Sequence, residues 1–212
     1  MRAKRTALIG TDKLVQNDSH GRNSLFKIYV SNTDLFSWKV NLMKQHFRMF
    51  AAYNRWANER LYAAAAELDD EEYRRDMRAF FSSLHGTLNH LLVTDRIWLH
   101  RFTGQGDAPK ALDAILHHRL EDLRAARVAE DARIIDWING LESADIAGRF
   151  TYTTVSDMRT ISQRLAPALA HLFNHQTHHR GQAHGILTAL GKLAPTFDLI
   201  QFQRTEEGRP YS

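Results

Sequence analysis

The sequence predicts an all-α protein, a four-helix bundle with a small β-hairpin at most, and three observations carry that expectation. Apolar residues recur at helical spacing over four long stretches, only one short stretch alternates as a strand does, and Gly and Pro mark the ends of the helical stretches. Hydrophobic residues make up 43% of the 212, enough to bury a core.

Residues 1–42 lack a sustained period. They are polar, with Asn, Asp, Ser and Gly scattered through QNDSHGRNS, and only the run Leu25 to Val30 can form a strand. We expect a weakly ordered, basic extension here and a helical domain over residues 43–212. The segment holds seven Lys/Arg against three Asp, which accounts for the whole net charge of +4. The remainder is neutral. A pI near 9.5 would ordinarily suggest nucleic acid, but the charge lies outside the helical stretches, so no nucleic-acid partner is expected. Met43 is itself a possible initiator, and the leader then reads as an extension from a misassigned start site.

The first helix begins at Met43, where MKQHFRMFAAYNRWANERLYAAAAEL places Phe47, Phe50, Ala51, Asn54, Ala57, Asn58, Leu61 and Ala65 on one stripe. Leu68 to Asp76 is acidic and reads as a short helix or a loop. Ser82 or Ser83 can cap a second helix running to about Phe102, ended by Gly104 and Gly106 with Pro109 beyond. A third helix runs from about Ala111 to Leu141 with its charges on the outer faces. RFTYTTV, from Arg149 to Val155, is the one convincing strand. Pro167 suits the first turn of a fourth helix, which ends at Gly191.

No stretch is apolar enough to span a membrane and no export signal opens the chain, so a soluble cytoplasmic protein is expected. Cys is absent, which excludes disulfides, thiolate metal ligands and a Cys nucleophile. The chemistry points instead to histidine. Of 12 in the chain, five lie on the fourth helix: His171, His175, His178, His179 and His184. His175 and His179 are one turn apart and fall at roughly 40° and 80° from His171, on or beside an apolar stripe centred near about 100°. Such a pair can share one metal ion. The competing reading is two hydrogen-bonded core histidines, which demands two sets of buried partners. Gln176 stands where a zinc protease of the H-E-x-x-H type carries its Glu base, so peptide hydrolysis by that route is disfavoured. A third ligand must come from another helix, and His85, His90, Asp95 and His100 on helix two are the candidates.

NHLLVTDRIWL at 89–99, followed downstream by FNHQTHHRGQ at 173–182 and preceded by YNRWAN at 53–58, resembles the DinB family of damage-inducible, YfiT-like metalloproteins. The resemblance spans roughly 43–204, including the closing DLIQFQR. It implies an up-down-down-up bundle, commonly a homodimer, holding a divalent ion by three His from two helices. In that pattern the ligands are His90, His175 and His179; zinc, nickel, iron and manganese are not distinguished. Asp95 lies in a core stripe and needs either a role behind the metal or a buried Arg. Asn54 either lines a pocket above the metal or bonds to a neighbouring helix, and Gln182 either orients a ligand or sits at the bundle edge. No residue stands out as a catalytic base. Some members of the family are thiol-dependent transferases, so the resemblance implies a metal-dependent enzyme acting on a small molecule with a low-molecular-weight thiol. The alternative is a non-catalytic, stress-induced metal-binding or interaction bundle.

Overall fold

The computed structural model describes residues 41–154 and 158–212 in full, together with the backbone of residues 32–40 and of two short strands. These are β1 (Gln16–Asn17) and β2 (Asn23–Ser24), paired antiparallel. The strand expected at Leu25 to Val30 lies outside the described residues. By its internal contacts the chain divides into two units, Met1–Phe36 and Ser37–Ser212.

The larger unit, which takes the first helix from Ser37 onward, is helical. Four long helices, α1 (Asn32–Ala65), α3 (Leu84–Thr103), α4 (Leu120–Gly140) and α6 (Leu165–Ala189), are joined by the short α2 (Asp70–Arg74), by α5 (Ser143–Ala147) and by a hairpin. The hairpin pairs β3 (Arg149–Thr153) with β4 (Thr160–Arg164) in antiparallel register, Arg149 opposite Arg164. A short α7 (Leu199–Gln203) and a 3-10 turn (Arg209–Tyr211) close the chain. Phe202 of α7 is fully buried against Tyr53 and Trp56 of α1. Among the described residues no helix is long and apolar enough to cross a membrane.

The ends of the functional helices follow from local chemistry. Ser83 caps α3 by accepting from the Gly86 amide at 3.1 Å, and Gly104, at φ +71°, ends it by donating to His100 O at 2.7 Å. At the end of α6 the Gly191 amide donates to Thr188 O and the Lys192 amide to Leu187 O, both at 3.0 Å. That is a Schellman ending, with Gly191 at φ +73°.

Two apolar tiers of the core have a polar layer between them, and a third apolar cluster, Met49, Ala52, Tyr53, Ala57 and Phe202, joins α1 to α7. One tier includes Phe47, Leu99, Ile134, Leu169 and Phe173; the other includes Leu61, Leu88, Leu91, Leu123 and Leu187. On each long helix buried polar residues fall between the tiers: Asn54 and Asn58 on α1, Asp95 on α3, Arg127 and Asp131 on α4, Gln176 and Arg180 on α6.

Three expectations change. The first helix begins at Asn32 and not at Met43. The third begins at Leu120 and not at Ala111, because the preceding segment satisfies its backbone on α3 instead of on itself. Leu116 and His117 donate to Asn89 Oδ1 at 2.9 and 3.0 Å, and Leu112 O and His117 O accept from α3 side chains. The charges of that helix are not all outward either, since Arg127, Glu130 and Asp131 are buried. A charge turns inward when it is paired, and here Arg127 meets Asp95 and Glu130 meets Arg96, both across to α3.

Candidate metal centre

His90 lies mid-way along α3, and His175 and His179 lie one turn apart on α6, which packs against it. Each offers one ring nitrogen to a common point, all within 4.8 Å of one another. His90 Nε2 stands 3.3 Å from His175 Nε2 and 3.2 Å from His179 Nε2. His90 and His179 are buried and His175 is half-buried.

The far side of two rings fixes what the near side presents. His90 Nδ1 is 2.7 Å from Leu112 O; a carbonyl only accepts, so Nδ1 carries the hydrogen and Nε2 a bare lone pair. His179 Nδ1 donates likewise to Gln182 Oε1 at 2.7 Å, while the Gln182 amide nitrogen donates to His178 Nε2 at 3.2 Å. Two lone pairs therefore face each other across a hydrogen-bond distance with no hydrogen between them. Protonation does not relieve this at neutral pH. Burial drives the His90 ring down to about 4 and the His175 ring to about 3, and lowers His179 as well.

A cation resolves the conflict. At a metal–nitrogen bond of about 2.0–2.1 Å, tetrahedral ligands stand about 3.3 Å apart, which is the separation that His90 Nε2 keeps from each of the other two nitrogens. The donor set therefore fits a divalent ion.

Phe81 closes one flank, stacked on His90 at 3.7 Å between centroids and edge-on to His179 at 5.6 Å. It is carried by a tight turn bridged from Ala79 to Ser82, with Arg78 and Ser82 in left-handed conformation at φ 54° and 61°. Gly86 permits this approach, since a Cβ there would collide with Phe81 O.

The other candidates of helix two lie elsewhere. His85 Nε2 bonds His117 O at 3.1 Å and His100 Nδ1 bonds Gly106 O at 2.9 Å. Asp95 pairs with the buried Arg127 at 2.7 Å, and Arg127 also pairs with Asp131 at 3.0 Å. Burial pushes the Asp95 carboxyl up to about 6, with Arg127 pulling against it. Asn54 joins this layer, donating to Asp131 at 3.1 Å and accepting from Arg180, so it bonds to neighbouring helices. Gln182 is the one residue of these that supports a candidate ligand directly.

The layer sets the spacing of the triad. Gln176, next to His175, donates to Leu91 O, next to His90, at 3.2 Å and also to Asp95, fastening α6 to α3 at the level of the three rings. Sequence reasoning missed Gln176 in this role, along with Arg127, Asp131 and Arg180. A signal existed for α4: Leu123, Arg127, Glu130, Ile134 and Ile138 share one helical stripe, so two charges stand among core positions. For Phe81 and Leu112, which sit in loops, no sequence pattern pointed to the site.

The profile of the DinB family matches residues 43–209. The chain is 26% identical over 151 residues to Protein DinB of Bacillus subtilis strain 168, an alignment covering 68% of this chain and 86% of that protein. Its fold resembles the crystal structure of a DinB-like protein from Bacillus cereus ATCC 10987, with a TM-score of 0.51 and 17% identity over 66% of this chain and 89% of the other. At that identity the structural likeness concerns the fold alone. The profile match takes in most of the chain, including α1 from Met43 onward, the whole of α3, α4 and α6 and the three converging histidines, and on that ground the chain belongs to the DinB family.

Proposed function

We propose that this protein binds one divalent ion at His90, His175 and His179 and acts as a metal-dependent enzyme, a thiol-dependent transferase working on a small molecule. The observation that carries metal binding is the pair of unprotonated Nε2 atoms of His90 and His179 facing each other at 3.2 Å. Three neutral imidazoles support the catalytic reading because such a donor set leaves coordination positions for a reactant. A divalent ion held there supplies Lewis acidity, favouring the thiolate form of an arriving thiol. The chain has no Cys, so the sulfur comes with the cosubstrate. His90 and His179 are held in one tautomer by Leu112 O and Gln182, and Phe81 shields one flank from water. In the transfer, the thiolate sulfur bonds to the electrophilic carbon and the displaced group leaves with the electron pair.

The test is metal quantification on wild type and on His90→Ala, His175→Ala and His179→Ala, with helicity checked by circular dichroism, followed by transfer assays pairing several small thiols with an alkylating electrophile. One ion per chain, lost in the variants, with thiol consumption that needs the ion, supports the proposal. No bound metal overturns it entirely. Metal without transfer to any electrophile replaces the enzyme by the non-catalytic metal-binding bundle.

A further inference from the structure

Arg101, near the end of α3, is held between two aromatic faces. Its guanidinium carbon lies 4.7 Å from the ring centroid of Trp98 on the same helix and 4.7 Å from that of Tyr152 on β3. Its Nε is buried with no hydrogen-bond partner, and among the described residues no carboxylate forms an ion pair with it. Most other arginines that the bundle orders between elements have acids or carbonyls to bind, as Arg127 and Arg133 do. Arg101 has its position fixed by stacking while its hydrogen-bonding fork is left for something else. Burial also lowers its pKa, the mark of a cation that lacks a compensating anion.

The neighbours of Arg101 lead to the triad. Trp98 stands 5.0 Å from His171 between centroids, and His171 stands 5.9 Å from His175, the half-buried member of the three. Trp98 and Tyr152 are half-buried and His171 is exposed, so each member of the row keeps some surface in contact with solvent. It offers ring faces and edges to an apolar chain and a guanidinium at one end.

We propose that this row seats the tail of the small molecule whose other end reaches the histidine triad, and that Arg101 binds a carboxylate at the end of that tail. A planar guanidinium whose orientation is already fixed by two rings loses little freedom in taking a planar, bidentate carboxylate. The ligand class is thus an elongated small molecule with an anionic terminus. This rests on the metal reading above, and the experiment separates the two.

The protein is loaded with cobalt(II), and thiol binding is followed by the sulfur-to-cobalt absorption band. Mercaptopropionate, mercaptooctanoate and mercaptoundecanoate are each compared with the mercapto-alcohol of equal length, on wild type and on Arg101→Met and Arg101→Lys. We expect acid and alcohol to bind alike for the shortest chain. For the chains long enough to span the row, the acid should bind about tenfold more tightly, the worth of one good charge-assisted pair. Arg101→Met abolishes that preference and Arg101→Lys keeps part of it, both with an unchanged cobalt spectrum. Equal affinity for acid and alcohol at every length, or a preference that survives Arg101→Met, overturns the subsite while leaving the metal site intact. If no thiol produces the band, the thiol reading fails, and the subsite is judged by octanoate alone on the metal-free protein. Octanoate should then shift the Trp98 indole NMR resonance, assigned by Trp98→Phe, in wild type and not in Arg101→Met. No such difference overturns it.

Discussion

Replacing Arg127 by Met tests the polar layer that holds the triad in register. The guanidinium is buried and stands 2.7 Å from Asp95 and 3.0 Å from Asp131. Two unit charges about 4 Å apart attract by about 4 kcal/mol at an effective dielectric of about 20, and burying all three groups offsets much of this. Met fills a similar volume, so the loss is mainly the stranding of the carboxylates. Asp131 keeps the amides of Asn54 and Asn58 at 3.1 Å each, whereas Asp95 keeps only Gln176, so Asp95 carries most of the penalty. We expect a loss of about 3–5 kcal/mol in urea unfolding of the chelated protein at pH 7.5, the usual cost of breaking a buried pair from one side. The sign of the pH dependence is fixed. The Asp95 carboxyl is already lifted by burial to about 6, and without Arg127 it rises further. The folded variant then holds more protons than wild type as pH falls from 7.5 towards 5, so its deficit narrows on acidification. Adding Asp95→Asn should recover at least half of the loss at pH 7.5. A variant within about 1 kcal/mol of wild type, or a deficit that widens on acidification, would refute the view that this is a coupled structural ion cluster.

Gln182→Leu removes the acceptor that holds the His179 tautomer; chelator competition should show metal affinity falling about 10–100-fold with helicity unchanged. Because His90 and His175 are depressed to about 4 and 3 and are neutral at pH 7, calorimetry in buffers of different ionisation enthalpy should find almost no proton release on zinc binding there. The same shifts make the metal-free protein lose stability as pH falls from about 6.5 towards 4, where the unfolded chain takes up protons that the folded one refuses. Gly86→Ala forces a Cβ into Phe81 O and should lower both melting temperature and metal affinity. Gly181→Ala, exposed on α6 with open space around it, should stabilise by about 0.5–1 kcal/mol and leave metal affinity unchanged.

The helices themselves were legible in the sequence because their signals are local. Ser83, Gly104 and Gly191 act through bonds to residues a few positions away, and a four-residue spacing puts His175 and His179 on one face wherever α6 packs. His90 was different. Helix two offers four side chains that could serve as the third ligand, and only the family resemblance separated His90 from His85, Asp95 and His100. The reason is physical: which face of α3 meets α6 depends on the packing of all four helices, and α3 is buried on nearly every side through its middle. Likewise the pairing of Arg127 with Asp95 joins two helices of one layer, α4 and α3, and the Leu112 carbonyl that fixes the His90 tautomer comes from a segment that the sequence reads as helix. The bundle, the helix ends at Ser83, Gly104 and Gly191, the neutral charge of residues 43–212 and the histidine pair follow from the sequence, whereas the starts of α1 and α4 do not. The packing of the helices settled which donors converge, that the Leu112 carbonyl holds the His90 tautomer and that Tyr152 closes on Arg101 from the far side, since each of these is a distance between residues far apart in the chain.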